Sequence, residues 1–108
     1  MSSSAPSGEL RVDVSRYPRI SELYRVEWRD VDAVVGDQRF RVIVYEDLLA
    51  TDEPRFVTHY HRLIELEVDG VPRGRWSDAV DLPVERRDSV DECMHAGLAH
   101  VNDYAPPA

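Results

Sequence analysis

Two polar steps, Gly36-Asp37 and Asp69-Gly70, each fall between runs of β-forming residues, and nothing else in the chain constrains its fold as strongly. Tight turns between twisted antiparallel strands demand positive φ, which glycine adopts most readily. Glycine at the first central position predicts a type II′ turn at Gly36-Asp37, and Asp-Gly predicts a type I′ turn at Asp69-Gly70. A two-residue turn fixes register, and register decides which side chains share a face. With Val35 and Gln38 flanking the first turn, Ala33 pairs with Phe40 and Val31 with Val42. Val31, Ala33, Val35, Phe40, Val42 and Val44 then form the core face. Asp32 falls opposite Arg41 on the other face, as an exposed cross-strand pair beside Trp28, Ile43 and Tyr45. A face bearing Trp, Ile and Tyr calls for a cover: a helix, a terminal segment or another subunit.

The second hairpin begins with a long strand, RFVTHYHRLIELEV, and returns through VPRGRWSD. Pro72 has no N–H to donate, so residues 71–77 read as an edge or bulged strand. Phe56, Tyr60, Ile64, Leu66 and Val68 take one face. Val57, His59, His61, Leu63, Glu65 and Glu67 take the other. Residues 47–54 read as a loop or single helical turn, and a short strand fits around Leu82 to Val84.

Residues 88–104 read as a helix. Ser89 with Glu92 fits a capping box, and Asp88, Asp91 and Glu92 suit the positive end of the helix dipole. Val90, Cys93, Met94, Gly97, Leu98, Val101 and Tyr104 make an apolar stripe. Glycine in mid-helix costs about 1 kcal/mol against alanine, which a close crossing of helix over sheet would explain. The expected fold is therefore α+β: a small curled antiparallel sheet of two β-hairpins with one C-terminal helix packed on a face. Alternation of Leu10, Val12 and Val14 allows a further short N-terminal strand. Residues 9–104 form a single domain, between disordered tails at 1–8 and 105–108.

Charge narrows the partners. Among 108 residues there are 13 basic side chains, all arginine, against 21 acidic ones, for a net charge of −8. That balance disfavours nucleic-acid phosphates and anionic membrane surfaces. No apolar run approaches the roughly 18 residues of a membrane span, and the N-terminus lacks signal-peptide features. A cytoplasmic location is expected. A lone cysteine, Cys93, excludes an intrachain disulfide.

The sharpest candidate site is His59-Tyr60-His61. Histidines two apart in a strand point to one side, roughly 6.5–7 Å apart, and can share Zn²⁺ or another divalent ion. Further ligands would have to come from Glu65, Glu67, Cys93, His95 or His100. His95 and His100 diverge by about 140° around a helix, and no H-E-x-x-H or C-x-x-C spacing is present. The plainer reading makes His59 and His61 part of a half-exposed sheet face, with no cofactor. Either histidine with Glu65 or Asp69 could make a general base and the carboxylate that orients it, but nothing around Cys93 or the serines marks a nucleophile. The carboxylates could imitate nucleic acid and block a DNA-binding enzyme, yet Arg25, Arg29, Arg39, Arg41 and Arg62 interleave with them. Arg73, Arg75, Arg86 and Arg87 with Trp76 could hold an anion, although such arginines more often pair with neighbouring acids. The remaining reading is a non-enzymatic protein-interaction or assembly module, most simply a homodimer, using Trp28, Ile43, Tyr45 and Trp76. Its rival has residues 10–20 folding back over that face within one chain.

Overall fold

The computed structural model describes residues 14–27, 29–51, 54–78 and 80–104. A 3₁₀ turn (Val14–Arg16) leads into β1 (Ile20–Glu27), β2 (Asp30–Val35) and β3 (Gln38–Glu46). Then come β4 (Phe56–Val68), β5 (Val71–Ser77), β6 (Arg86–Arg87) and α1 (Val90–Asn102). One antiparallel sheet runs in the order β1-β2-β3-β4-β5, with β6 paired to the start of β4. The sheet is open and α1 packs on one face, an α+β fold.

Both turns carry the expected dihedral signs. Gly36 has φ 61°, and Asp69 and Gly70 have φ 54° and 76°, with Asp69 the sole described non-glycine at positive φ. The register follows as read: Val35 pairs with Gln38, Ala33 with Phe40 and Val31 with Val42. Val31, Ala33, Phe40, Val42 and Val44 are at most 1% exposed. β5 is an edge strand, with Pro72 opposite Glu67.

Three local expectations are corrected. The run before Gly36 is two strands, not one: β1 and β2 pair antiparallel, with Leu23 opposite Ala33. No glycine, proline or asparagine marks the step between Glu27 and Asp30, so nothing in the local chemistry announces the reversal. Val14 lies in the 3₁₀ turn rather than a strand, while Leu10 and Val12 fall outside the described residues, as do both expected tails. The short late strand is Arg86–Arg87 rather than Leu82 to Val84. Leu82 instead packs against the core with Val80.

α1 begins where its cap predicts. Ser89 is extended, and its Oγ accepts from the Glu92 N–H at 3.1 Å. Val90, Cys93, Met94, Gly97, Leu98 and Val101 are buried against the sheet. A Cβ on Gly97 would lie 2.8 Å from Val42 Cγ1 and 3.0 Å from Thr58 Cγ2. The helix therefore crosses β3 and β4 as closely as backbone allows, which is why glycine stands in mid-helix. Tyr104 extends the stripe, its ring edge-on to Phe40 at 4.8 Å.

Tyr17 fixes the entry to the sheet on this same side. It is 2% exposed and belongs to the core cluster, and its hydroxyl bonds the His95 ring and donates to the His95 carbonyl at 3.2 Å. Arg19 N–H adds a bond to Asn102 Oδ1 at 2.8 Å. The described part of residues 10–20 thus packs against α1 and does not fold over the opposite face. The far end of the second hairpin is different: every residue from Glu65 to Arg75 is exposed. It projects as a two-stranded arm beyond β3, whose pairing with β4 ends at Phe40 and Arg62.

Candidate functional site on the open sheet face

With α1 over Val42, Thr58 and Tyr60, the alternate residues of β3 and β4 point away from the helix. Register brings them together: Arg41 lies opposite His61, Ile43 opposite His59 and Tyr45 opposite Val57. Leu63 of β4 pairs with Trp76 of β5, which adds Trp76 to this face. Ile43, Tyr45, His59, His61 and Trp76 therefore share one surface. The turn between β1 and β2 interrupts the alternation that placed Trp28 with them, and Trp28 lies outside the described residues.

Aromatic rings run in sequence across this surface. Tyr45 meets His59 edge-on at 5.6 Å, and His59 meets His61 edge-on at 4.8 Å, within the range of favourable ring contacts. Burial, and then the neighbouring His59 ring, hold His61 below the usual histidine value, against the pull of Asp78 and Asp30. His61 is thus harder to protonate than an ordinary histidine.

Asp32 and Arg41 anchor the middle of the face. Arg41 donates from Nε to Asp32 Oδ1 at 2.7 Å and from Nη2 to Oδ2 at 3.1 Å, a bidentate fork. Its guanidinium also lies 4.4 Å from the Trp76 ring centre, a cation–π contact. This pair is not the exposed one expected. Asp32 is only 5% exposed. The unforeseen β1 is the reason: it pairs with β2 and makes Asp32 an interior position, with Tyr24 on its other side.

The other sequence candidates scatter. Arg73 and Arg75 pair with Leu66 and Ile64 on the arm, whereas Arg86 and Arg87 pair with Val57 and Phe56 at the opposite end of β4. They do not form one cluster, and Arg86 and Arg87 bind Asp47 and Glu85. Cys93 is fully buried on the sheet-facing side of α1, and burial pushes its thiol up to about 11, which suits a packing residue rather than a nucleophile. His95 is taken by Tyr17, and His100 Nε2 donates to Glu85 Oε2 at 2.6 Å. Among the described residues, no group of three or more His, Cys, Asp or Glu side chains is placed to hold a metal ion.

Glu85 was not foreseen, since it sits in an irregular stretch without motif. Its carboxylate accepts from His100 and, at 2.7 Å, from Arg87 Nη1, which together tie β6 to α1. The His100 bond first and the Arg87 bond second hold Glu85 below its ordinary 4.5. A group lowered on folding contributes stability that is present above its unfolded value and lost as pH falls through the folded one. Glu85→Gln is therefore expected to flatten the acid-side loss of stability below about pH 4.5. Thermal melts across pH 3–6 would test it; parallel slopes for the variant and the wild type would count against the role given to Glu85.

The chain matches no protein-family model, no curated protein and no solved structure. No helix among the described residues is long and apolar enough to cross a membrane.

Proposed function

We propose that this protein is a non-enzymatic assembly module that self-associates through the open face of its sheet. One observation carries the reading: the helix, Tyr17, Val80 and Leu82 all pack on one side of the sheet, while aromatic and aliphatic side chains collect on the other. Tyr24 and Tyr45 remain 42% and 51% exposed there. Just past Tyr45, Leu48 and Leu49 are 81% and 89% exposed, extending the apolar character at that end of β3. Charge favours a second copy as the occupant. A chain of net charge −8 repels itself over most of its surface. On this face Arg41 neutralises Asp32, which leaves Asp30 and Asp78 as the carboxylates near His61 and so reduces the repulsion. A two-fold interface needs only such a self-complementary patch.

A nucleic-acid mimic fits less well. Asp32, Glu46, Asp47 and Glu85 each face an arginine, which breaks up a negative surface. A metal centre on His59 and His61 has a ligand pair in place but no third ligand among the described residues.

Sedimentation equilibrium on the untagged chain tests the proposal. The expected result is a dimer at micromolar concentration. Tyr45→Asp and Ile43→Asp should each weaken it by about 30-fold or more, as loss of a central interface anchor does. A monomeric wild type would remove the reading, and a dimer indifferent to both substitutions would move the interface elsewhere.

A further inference from the structure

The arm leaves one margin of the sheet without a neighbour. Pairing of β3 with β4 stops at Phe40 and Arg62, while β4 continues to Val68 with β5 alone. Turn geometry decides which backbone groups are left over. Val68 and Val71 flank the two-residue Asp69-Gly70 turn, so they exchange hydrogen bonds, and Leu66 with Arg73 and Ile64 with Arg75 follow in alternation. Leu63, Glu65 and Glu67 therefore turn N–H and C=O to the other side, where no strand lies among the described residues. The first hairpin agrees. Counted from Val35 and Gln38, Arg41 and Ile43 turn their backbone toward His61 and His59, which belong to the same alternating set of β4.

The outer margins of β5 and β1 carry devices that block a further strand. On β5 the outward set starts with Pro72, which has no N–H. On β1 the register shifts twice, between Ile20 and Glu22 and between Arg25 and Glu27. Residues 63–68 have neither: they include no proline or glycine, and their register to β5 is unbroken. At its inner end this margin opens on a cleft of about 490 Å³, bounded by Asp37, Gln38 and Tyr104. Arg62 Nη1 donates to the Tyr104 hydroxyl at 3.2 Å and holds that wall in place. The cleft gives a strand in line with β3 room to start. Side chains decide what fits. Glu65 and Glu67 are exposed on the open-face side of the arm, and neither has an ion-pair partner among the described residues. Leu66 and Val68 stand on the other side, 55% and 49% exposed.

We propose that residues 63–68 of β4 bind an extended segment of another protein, in which basic and apolar residues alternate, as an added antiparallel strand. Its backbone bonds Leu63, Glu65 and Glu67. Its basic side chains lie beside Glu65 and Glu67, and its apolar ones beside Leu66 and Val68. The net charge of −8 draws such a segment in. A second copy is a poor occupant, because two-fold pairing of this margin with itself sets Glu65 and Glu67 of both chains side by side on one face. The proposal does not rest on self-association through Ile43 and Tyr45.

Amide hydrogen exchange of the full chain, followed by NMR with a capped peptide alternating lysine and valine, tests it. Saturable binding should slow exchange at Leu63, Glu65 and Glu67 and leave Ile64, Leu66 and Val68, already bonded to β5, nearly unchanged. Unspecific attraction to an acidic surface cannot produce that period of two. A peptide alternating glutamate and valine should not bind. Glu65→Gln and Glu67→Gln should each weaken the lysine peptide by up to about fivefold, the effect of losing one cross-strand charge pair. Glu65→Lys combined with Glu67→Lys should reject the lysine peptide and accept the glutamate one. Both positions are exposed, and thermal melts check that each variant is folded. No saturable binding, or protection without the alternation, would overturn the site. Equal binding of the two peptides would overturn the basic assignment. Protection of the same three amides without peptide, lost on dilution, would give the margin to a second copy and overturn the proposal.

Discussion

Gly97→Val is expected to destabilise the protein by about 3 kcal/mol, the upper part of the range for overpacking a core. The first added carbon would already stand 2.8 Å from Val42 Cγ1 and 3.0 Å from Thr58 Cγ2. Both neighbours are branched and buried, at 0% and 2% exposure, so neither can swing aside. Two further methyls leave the helix no course but to lift from β3 and β4, and Met94, Leu98 and Val101 lift with it. Against a total stability of about 5–15 kcal/mol for a small domain, that is a large fraction. Gly97→Ala should cost less, since alanine recovers about 1 kcal/mol of helix propensity. Urea unfolding at constant slope measures both. A valine variant as stable as the wild type would mean that the helix is not seated on the sheet at Gly97.

The second large effect is expected at Asp32. Asp32→Ala leaves the Arg41 guanidinium without its carboxylate, at a cost of about 3 kcal/mol, the lower end for breaking a buried ion pair. The lower end applies because the Arg41 side chain keeps 26% of its exposure and its contact with Trp76. Asp32→Ala with Arg41→Met should recover part of the loss, because no charge is then stranded. A double-mutant cycle by thermal unfolding checks the coupling; additive effects would mean that the two side chains act independently. The same cycle bears on the open face, whose central charge depends on this pair. A dimer weakened by Asp32→Ala and regained in the double variant would tie face charge to assembly.

Much of the fold was legible because two turns carry their own chemistry. Gly36-Asp37 and Asp69-Gly70 fix register locally, and a period of two then assigns every flanking side chain to a face. The same held for α1, where Ser89 caps the backbone and the spacing of Val90 to Val101 draws the stripe. Even the close crossing at Gly97 could be anticipated, since a glycine inside a helix has a cost that some contact must justify. His59 and His61 were placed correctly on the face opposite Tyr60, and Ile43 and Tyr45 joined them there.

What the sequence could not supply arose between segments distant along the chain or unmarked within it. The reversal between Glu27 and Asp30 has no turn residue to announce it, so β1 was missed, and with it the burial of Asp32. Tyr17 against His95, Glu85 against His100 and Arg62 against Tyr104 are each contacts across many residues, with no spacing that encodes them. The charge state of the surface also waited on the fold: thirteen arginines among twenty-one acids read as a uniform mixture. Only the tertiary structure shows which of them face a carboxylate, as Arg41, Arg55, Arg86 and Arg87 do. Sequence by itself determined the hairpins, the helix and the faces, because dihedral preference and periodicity are local. The side on which the helix lies and the depth of Asp32 were decided only when the layers closed, because burial belongs to the whole packing and not to any one segment.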